Sequence, residues 1–257
     1  MTKSVEPISP SLPVPRRDPG EAGPAPGLRC GPLSGCAAAL LAGLLTWGLT
    51  RAVFPVFDIP EELKNLPSPQ PAHLAVKAER AQIEADRWNA TLLFAVLGLT
   101  VAGGLAVAEC LVRGRAAAAW WRALLSGSIA GLLGAAGGLS ASLLLESPQH
   151  LAGLSPLART ISIQCLGLGL AGLGIGLGVG TLGGGRVLLN AAVGGVLAGG
   201  LVGFVYPTAM GYLLPAAQTE RVVPLEPTSQ LIWLAAMSGI SALVITGLGK
   251  KDNRAAQ

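Results

Sequence analysis

Apolar residues in this chain gather into long unbroken runs, with polar residues confined to the gaps between them. A helix needs about 20 consecutive apolar residues, at about 1.5 Å rise each, to cross a hydrocarbon core about 30 Å thick. Six runs meet that length: 36–57, 89–112, 121–145, 161–183, 187–214 and 230–248. In lipid an unpaired strand leaves its backbone groups without partners, so helices are the expected solution. The pattern therefore predicts an all-α polytopic membrane protein, a bundle over 36–248 with six transmembrane helices.

The polar gaps differ in character. Residues 1–30 are rich in proline and lack an apolar period, which predicts a disordered cytoplasmic tail. Pro10 to Pro13 has PxxP form, read here as part of a solvated linker. The gap 58–88 opens with prolines and then turns helical. Leu74, Ala78, Ala81, Ala85 and Trp88 fall on one face of an amphipathic helix over 74–88, which is expected to run into the second span. That helix either projects from the membrane, with its small apolar stripe docked on other loops or on a second copy, or lies on the headgroups. Residues 249–257 form a short tail.

Glycine supplies the packing rule. Gly172, Gly176 and Gly180 follow one another at steps of four, with Gly184 next in the series. Such a row strips side chains from one helix face and lets a neighbouring backbone approach closely. Gly174 and Gly178 lie on nearly the opposite face, so the fourth span is expected at the centre of the bundle, gripped from two sides. Further rows, Gly195, Gly199 and Gly203 in the fifth span and Gly127, Gly131, Gly134 and Gly138 in the third, predict that spans three to five form one close unit.

Composition reinforces the membrane reading. Of 257 residues, 51% are hydrophobic and 12% charged, against about 25% charged in ordinary soluble domains. The bases give a net charge of +4 but are spread over tails and loops, a pattern of membrane flanks and not of a nucleic-acid surface. Their distribution favours both termini on the cytoplasmic side. The second loop is the strongest vote, with Arg113, Arg115 and Arg122 and no acid, whereas the bases of the first loop count against it. Trp88, Trp120, Trp121 and Trp233 fall at predicted span ends, where indoles sit well.

Chemistry-bearing motifs are sparse. Leu33, Ser34, Gly35 and Cys36 imitate a lipoprotein cleavage box, but the apolar run follows the cysteine, so the first span reads as an uncleaved anchor. Gly167, Gly169, Gly172 and Gly178, Gly180, Gly183 satisfy GxGxxG without the strand and acid that a dinucleotide site requires. Cys30, Cys36, Cys110 and Cys165 are scattered, His73 and His150 are isolated, and the serines of the spans have no base at membrane depth, which leaves no catalytic, cofactor or metal signature. Glu109 is the one acid inside a predicted span, and Arg113 one turn on predicts an interfacial ion pair.

Gln164, Asn190 and Tyr206, with Pro207 breaking the backbone ladder beside them, form the candidate midplane polar site. The sequence thus points to a non-enzymatic structural or interaction protein of the cytoplasmic membrane. Its partners are the bilayer and either a second copy or another membrane protein, with no nucleic acid. The competing reading is a channel or facilitator for a small neutral solute.

Overall fold

The computed structural model describes residues 28, 30–64, 72–213 and 221–255. Among them the elements are α1 (Pro32–Val53), α2 (Glu61–Lys64), α3 (Ala72–Val112), α4 (Ala119–Glu146), α5 (Pro156–Gly180), α6 (Gly185–Leu213) and α7 (Pro227–Ala255), with short 3-10 turns before and after α4. All but α2 are long and apolar enough to cross a membrane, so the chain is an all-α polytopic membrane protein. With six passes, α1 begins and α7 finishes at the same end of the bundle. That end is called proximal here and the opposite one distal.

Local chemistry places the boundaries. Pro32 opens α1 and Pro156 opens α5, where a missing N–H is harmless, and Ser155 caps α5 by accepting a hydrogen bond from the Ala158 N–H at 3.3 Å. Gly114, at φ +67°, ends α3 in the left-handed region, and the Arg115 N–H returns to the Cys110 carbonyl at 2.8 Å. α3 runs unbroken for 41 residues, so the predicted 74–88 helix and the second span are one rod. Leu74, Ala78 and Ala81 are half-buried and Ala85 is buried, while Lys77, Glu79, Arg80 and Glu84 are exposed.

The spanning helices form a closed ring in the order α1, α3, α4, α5, α6, α7, with α3 touching α5 across the middle. α5 is the most enclosed of them. Its two glycine faces serve two neighbours. A methyl group on Gly172 would lie 2.0 Å from the Gly195 carbonyl oxygen, and one on Gly195 would lie 2.0 Å from that of Gly172. Methyl groups added elsewhere along this crossing would meet the Ala191 carbonyl oxygen at 2.0 Å from Gly176, the Leu188 Cα at 2.7 Å from Gly180, the Leu168 carbonyl oxygen at 2.0 Å from Gly199 and the Cys165 backbone at 2.7 Å from Gly203. On the other face methyl groups on Gly174 and Gly178 would lie 3.0 and 2.4 Å from the Ala130 and Ser126 carbonyl oxygens of α4. Backbones this close bring Cα–H groups against opposite carbonyls and gain dispersion along the whole crossing.

Two expectations about these rows need correction. Gly184 lies outside the helix, in the turn joining α5 to α6, where its carbonyl accepts from the Leu188 N–H at 3.0 Å. The row Gly127, Gly131, Gly134 and Gly138 of α4 faces α3 and not α5. Methyl groups there would meet the carbonyl oxygens of Leu99, Ala95, Phe94 and Ala90 at 2.3 to 3.2 Å. Gly137, one position aside, is what approaches α5, at the Gly167 carbonyl. The close unit therefore extends from α3 to α6, because the sequence reveals that a face is bare but not which neighbour takes it.

The proximal end shows a second difference. Leu28 and Cys30, within the stretch read as disordered tail, are buried, and the Cys30 N–H donates to Glu109 Oε2 at 2.7 Å. The predicted Glu109–Arg113 pair is present, with Arg113 Nε 2.5 Å from Glu109 Oε1, and both side chains are enclosed by protein. Residues 1–27, with the PxxP motif, lie outside the described residues. Cys36 sits inside α1 with its thiol toward the Gly239 carbonyl of α7 at 3.6 Å, so the imitation cleavage box is ordinary helix.

Candidate functional site: a cleft at the distal end

The candidate midplane site does not assemble. Asn190 lies in the first two turns of α6 and Tyr206 in the last two, about 24 Å apart by helical rise. Gln164 and Tyr206 do share the distal half, where each is tied to the chain that enters α7. Gln164 Nε2 donates to the carbonyls of Arg221 and Val222 at 3.1 and 3.0 Å, and its Oε1 accepts from the Trp233 indole N–H at 3.2 Å. The Tyr206 hydroxyl donates to the Ser229 carbonyl at 3.4 Å. α6 remains helical through Pro207 to Leu213, with the Thr208 hydroxyl donating to the Phe204 carbonyl at 2.9 Å.

Trp233 also departs from expectation: it is fully enclosed, packed edge-on against Phe94 at 5.3 Å between centroids. Trp88, Trp120 and Trp121 stay exposed, as span-end indoles should. Beneath the Phe94–Trp233 pair the interior is filled by Leu97, Val101, Leu168 and Ile175.

Above that pair the distal end opens into a cleft of about 510 Å³. Four separate segments line it: the end of α1 and the following loop, the foot of the α3 extension, the last two turns of α4, and residues 221–225 together with the first turn of α7. Its deep part is apolar or uncharged, with Ala85, Ala90, Leu93, Ser142, Val222 and Gln230 all buried. Its rim is charged. Arg87 holds Glu146 through a two-pronged contact at 2.8 and 2.5 Å, joining α3 to α4, and Arg221 reaches Asp86 at 3.3 Å, joining the pre-α7 segment to α3. Asp58 is bonded by Lys64, which holds the carboxyl below its ordinary range. Arg51 has no ion pair among the described residues.

The walls are fixed by polar contacts that take little from the cleft itself. Asn89 Oδ1 accepts from the N–H groups of Val56 and Phe57, both at 3.0 Å, and its Nδ2 donates to the Phe57 carbonyl at 2.8 Å, clamping the loop after α1. Phe57 leans on Trp88 at 6.3 Å. On the opposite wall Gln164 clamps 221–222, and the Ser229 hydroxyl bonds Glu226, holding that carboxyl below its ordinary range. The cleft is thus a pre-formed concavity with apolar depth and polar rim, the usual composition of a binding pocket.

Gln164 and Tyr206 stand out in the sequence as polar groups out of place in lipid, but the cleft whose 221–222 wall Gln164 holds does not. Its lining comes from residues up to 180 positions apart, Thr50 to Gln230, and none of the segments carries a motif. The one available signal was the charged and apolar mixture of 82–93, which straddles the expected boundary between the 74–88 helix and the second span. No protein-family model, no curated protein and no solved structure matches this chain.

Proposed function

We propose that the chain is a non-enzymatic structural and interaction protein of the cytoplasmic membrane, with both termini cytoplasmic, that presents the distal cleft and the α3 extension on the extracytoplasmic side. The observation that carries this reading is the contrast between a closed interior and an open distal end. Phe94, Trp233, Leu97 and Leu168 are fully enclosed below the cleft. Gln164 and Tyr206 spend their polar groups on internal carbonyls and an indole. A facilitator for a small neutral solute needs a polar route through the bundle, and the groups once suited to form one lie at opposite ends or in internal bonds.

The test places a photo-crosslinking residue at Leu225, exposed on the cleft rim. Cross-linking to a discrete partner or ligand in membranes, together with no solute-dependent swelling of proteoliposomes, is the expected result. Selective swelling that is lost on Tyr206→Phe would replace this reading with the facilitator.

A further inference from the structure

We propose that the distal cleft binds a single-chain amphiphile with an acidic head, its apolar chain against Ile83, Leu93, Leu145 and Val222 and its head on Arg51. This rests on the reading of the cleft as the working surface and names what occupies it.

Charge bookkeeping at the rim supplies the head. The cleft is lined by three cations, Arg51, Arg87 and Arg221, and three acids, Asp58, Asp86 and Glu146. Arg87 is matched to Glu146 and Arg221 to Asp86, while Asp58 is taken by Lys64 from outside the lining. Among the described residues one guanidinium is left over, that of Arg51, at the mouth of an otherwise neutral cleft. A planar guanidinium recognises carboxylate or phosphate oxygens in pairs, so an acidic head is its complement.

The depth supplies the tail. Leu93 and Val222 are buried at the bottom, Ile83 and Leu145 line the sides, and the uncharged side chains of Ser142 and Gln230 complete the floor. A volume of about 510 Å³ lies within the range of about 300 to 1,000 Å³ usual for one small ligand. A partner helix, about 10–12 Å across, would place little more than one turn in it. Because Phe94 and Trp233 close the cleft from below, an acyl chain would end there and not pass through.

The experiment uses the purified full chain in phosphatidylcholine nanodiscs, with a dansyl-tagged fatty acid and its methyl ester as probes. On the native protein the acid should bind about tenfold more tightly than the ester, the worth of one charge-assisted contact. Arg51→Gln should remove that preference while leaving ester binding unchanged. Ile83→Asp should abolish binding of both, and Ile83→Leu should restore it. Arg51 and Ile83 are both exposed, so the variants should keep the native unfolding temperature.

Displacement of the probe by an anionic lysophospholipid added to the disc supports the same chemistry with the bilayer as its source. Displacement only by free fatty acid supports it with a soluble source. Equal binding of acid and ester, or an acid preference that survives Arg51→Gln, overturns the assignment of the head. Binding that persists in Ile83→Asp puts the site elsewhere. If neither probe binds while the Leu225 cross-linker captures a protein, the amphiphile is wrong and the interaction reading stands, whereas selective swelling removes that reading itself.

Discussion

Glycine and the isolated polar side chain act oppositely at the residue scale. At Gly172 a single methyl group would sit 2.0 Å from a backbone oxygen, where no side chain can turn aside to make room. Gly172→Ala should therefore lower stability by about 1–3 kcal/mol, the usual cost of overpacking, and Gly176→Leu by more. Gly200→Ala, with nothing within 4 Å of the added carbon, is the matched control and should leave the unfolding temperature in detergent unchanged. Ser238 presents the reverse case. Its hydroxyl is fully enclosed with no hydrogen-bond partner among the described residues, and it abuts Gly43 of α1. Ser238→Ala removes an uncompensated polar group, so it should be neutral or stabilising by up to about 1 kcal/mol. Gln164→Leu should go the other way, costing about 1–3 kcal/mol because two carbonyls and an indole N–H lose their partner. Faster amide exchange across 221–225 would separate this loss from general destabilisation, and unchanged exchange there would refute the clamp.

At the scale of elements, the distal loop after α1 is held by ionised groups and should respond to acid. Asp58 has its carboxyl lowered chiefly by the Lys64 hydrogen bond. A lowered folded value means that the contribution is complete above the ordinary carboxylate range and is lost as pH falls through the folded value. Amide protection over 58–64 should accordingly hold from neutral pH down to the ordinary carboxylate range and fall only below it, and Asp58→Asn should remove the acid step. The elements themselves were legible because apolar length alone decides a membrane span. Boundaries drifted where a proline reset them: α1 begins at Pro32 and not at 36, and α5 at Pro156 and not at 161. The partner of each glycine face was less legible. Gly174 and Gly178 could be placed opposite Gly172 and Gly176 by periodicity, yet the row from Gly127 to Gly138 could not be given to α3 without knowing the ring order. Trp233 shows the same limit, since an indole near a span end reads as interfacial until a neighbour such as Phe94 encloses it.

For the whole molecule, the even number of passes puts the start of α1 and the finish of α7 at one end, and the proposed orientation, which rests on the basic second loop, takes that end as cytoplasmic. Reporter fusions at residue 257 and in 65–71 should therefore report opposite compartments, with the C-terminal fusion active inside. The reverse would invert the molecule and bring the cleft to the cytoplasm without altering its geometry. The cleft exists only at this scale. Each wall belongs to a different pass, so no local window of sequence contains it, and Arg51 becomes conspicuous only after Asp86, Glu146 and Asp58 have been matched elsewhere.

The link between α5 and α6 is only 181–184, so the pair with the tightest crossing is also adjacent in synthesis. Bringing such neighbours together costs little chain entropy, and a helix with seven glycines between 167 and 180 has a weak propensity of its own to offset. A ribosome delivering this stretch would therefore hand the translocon a hairpin that leaves its gate as one body.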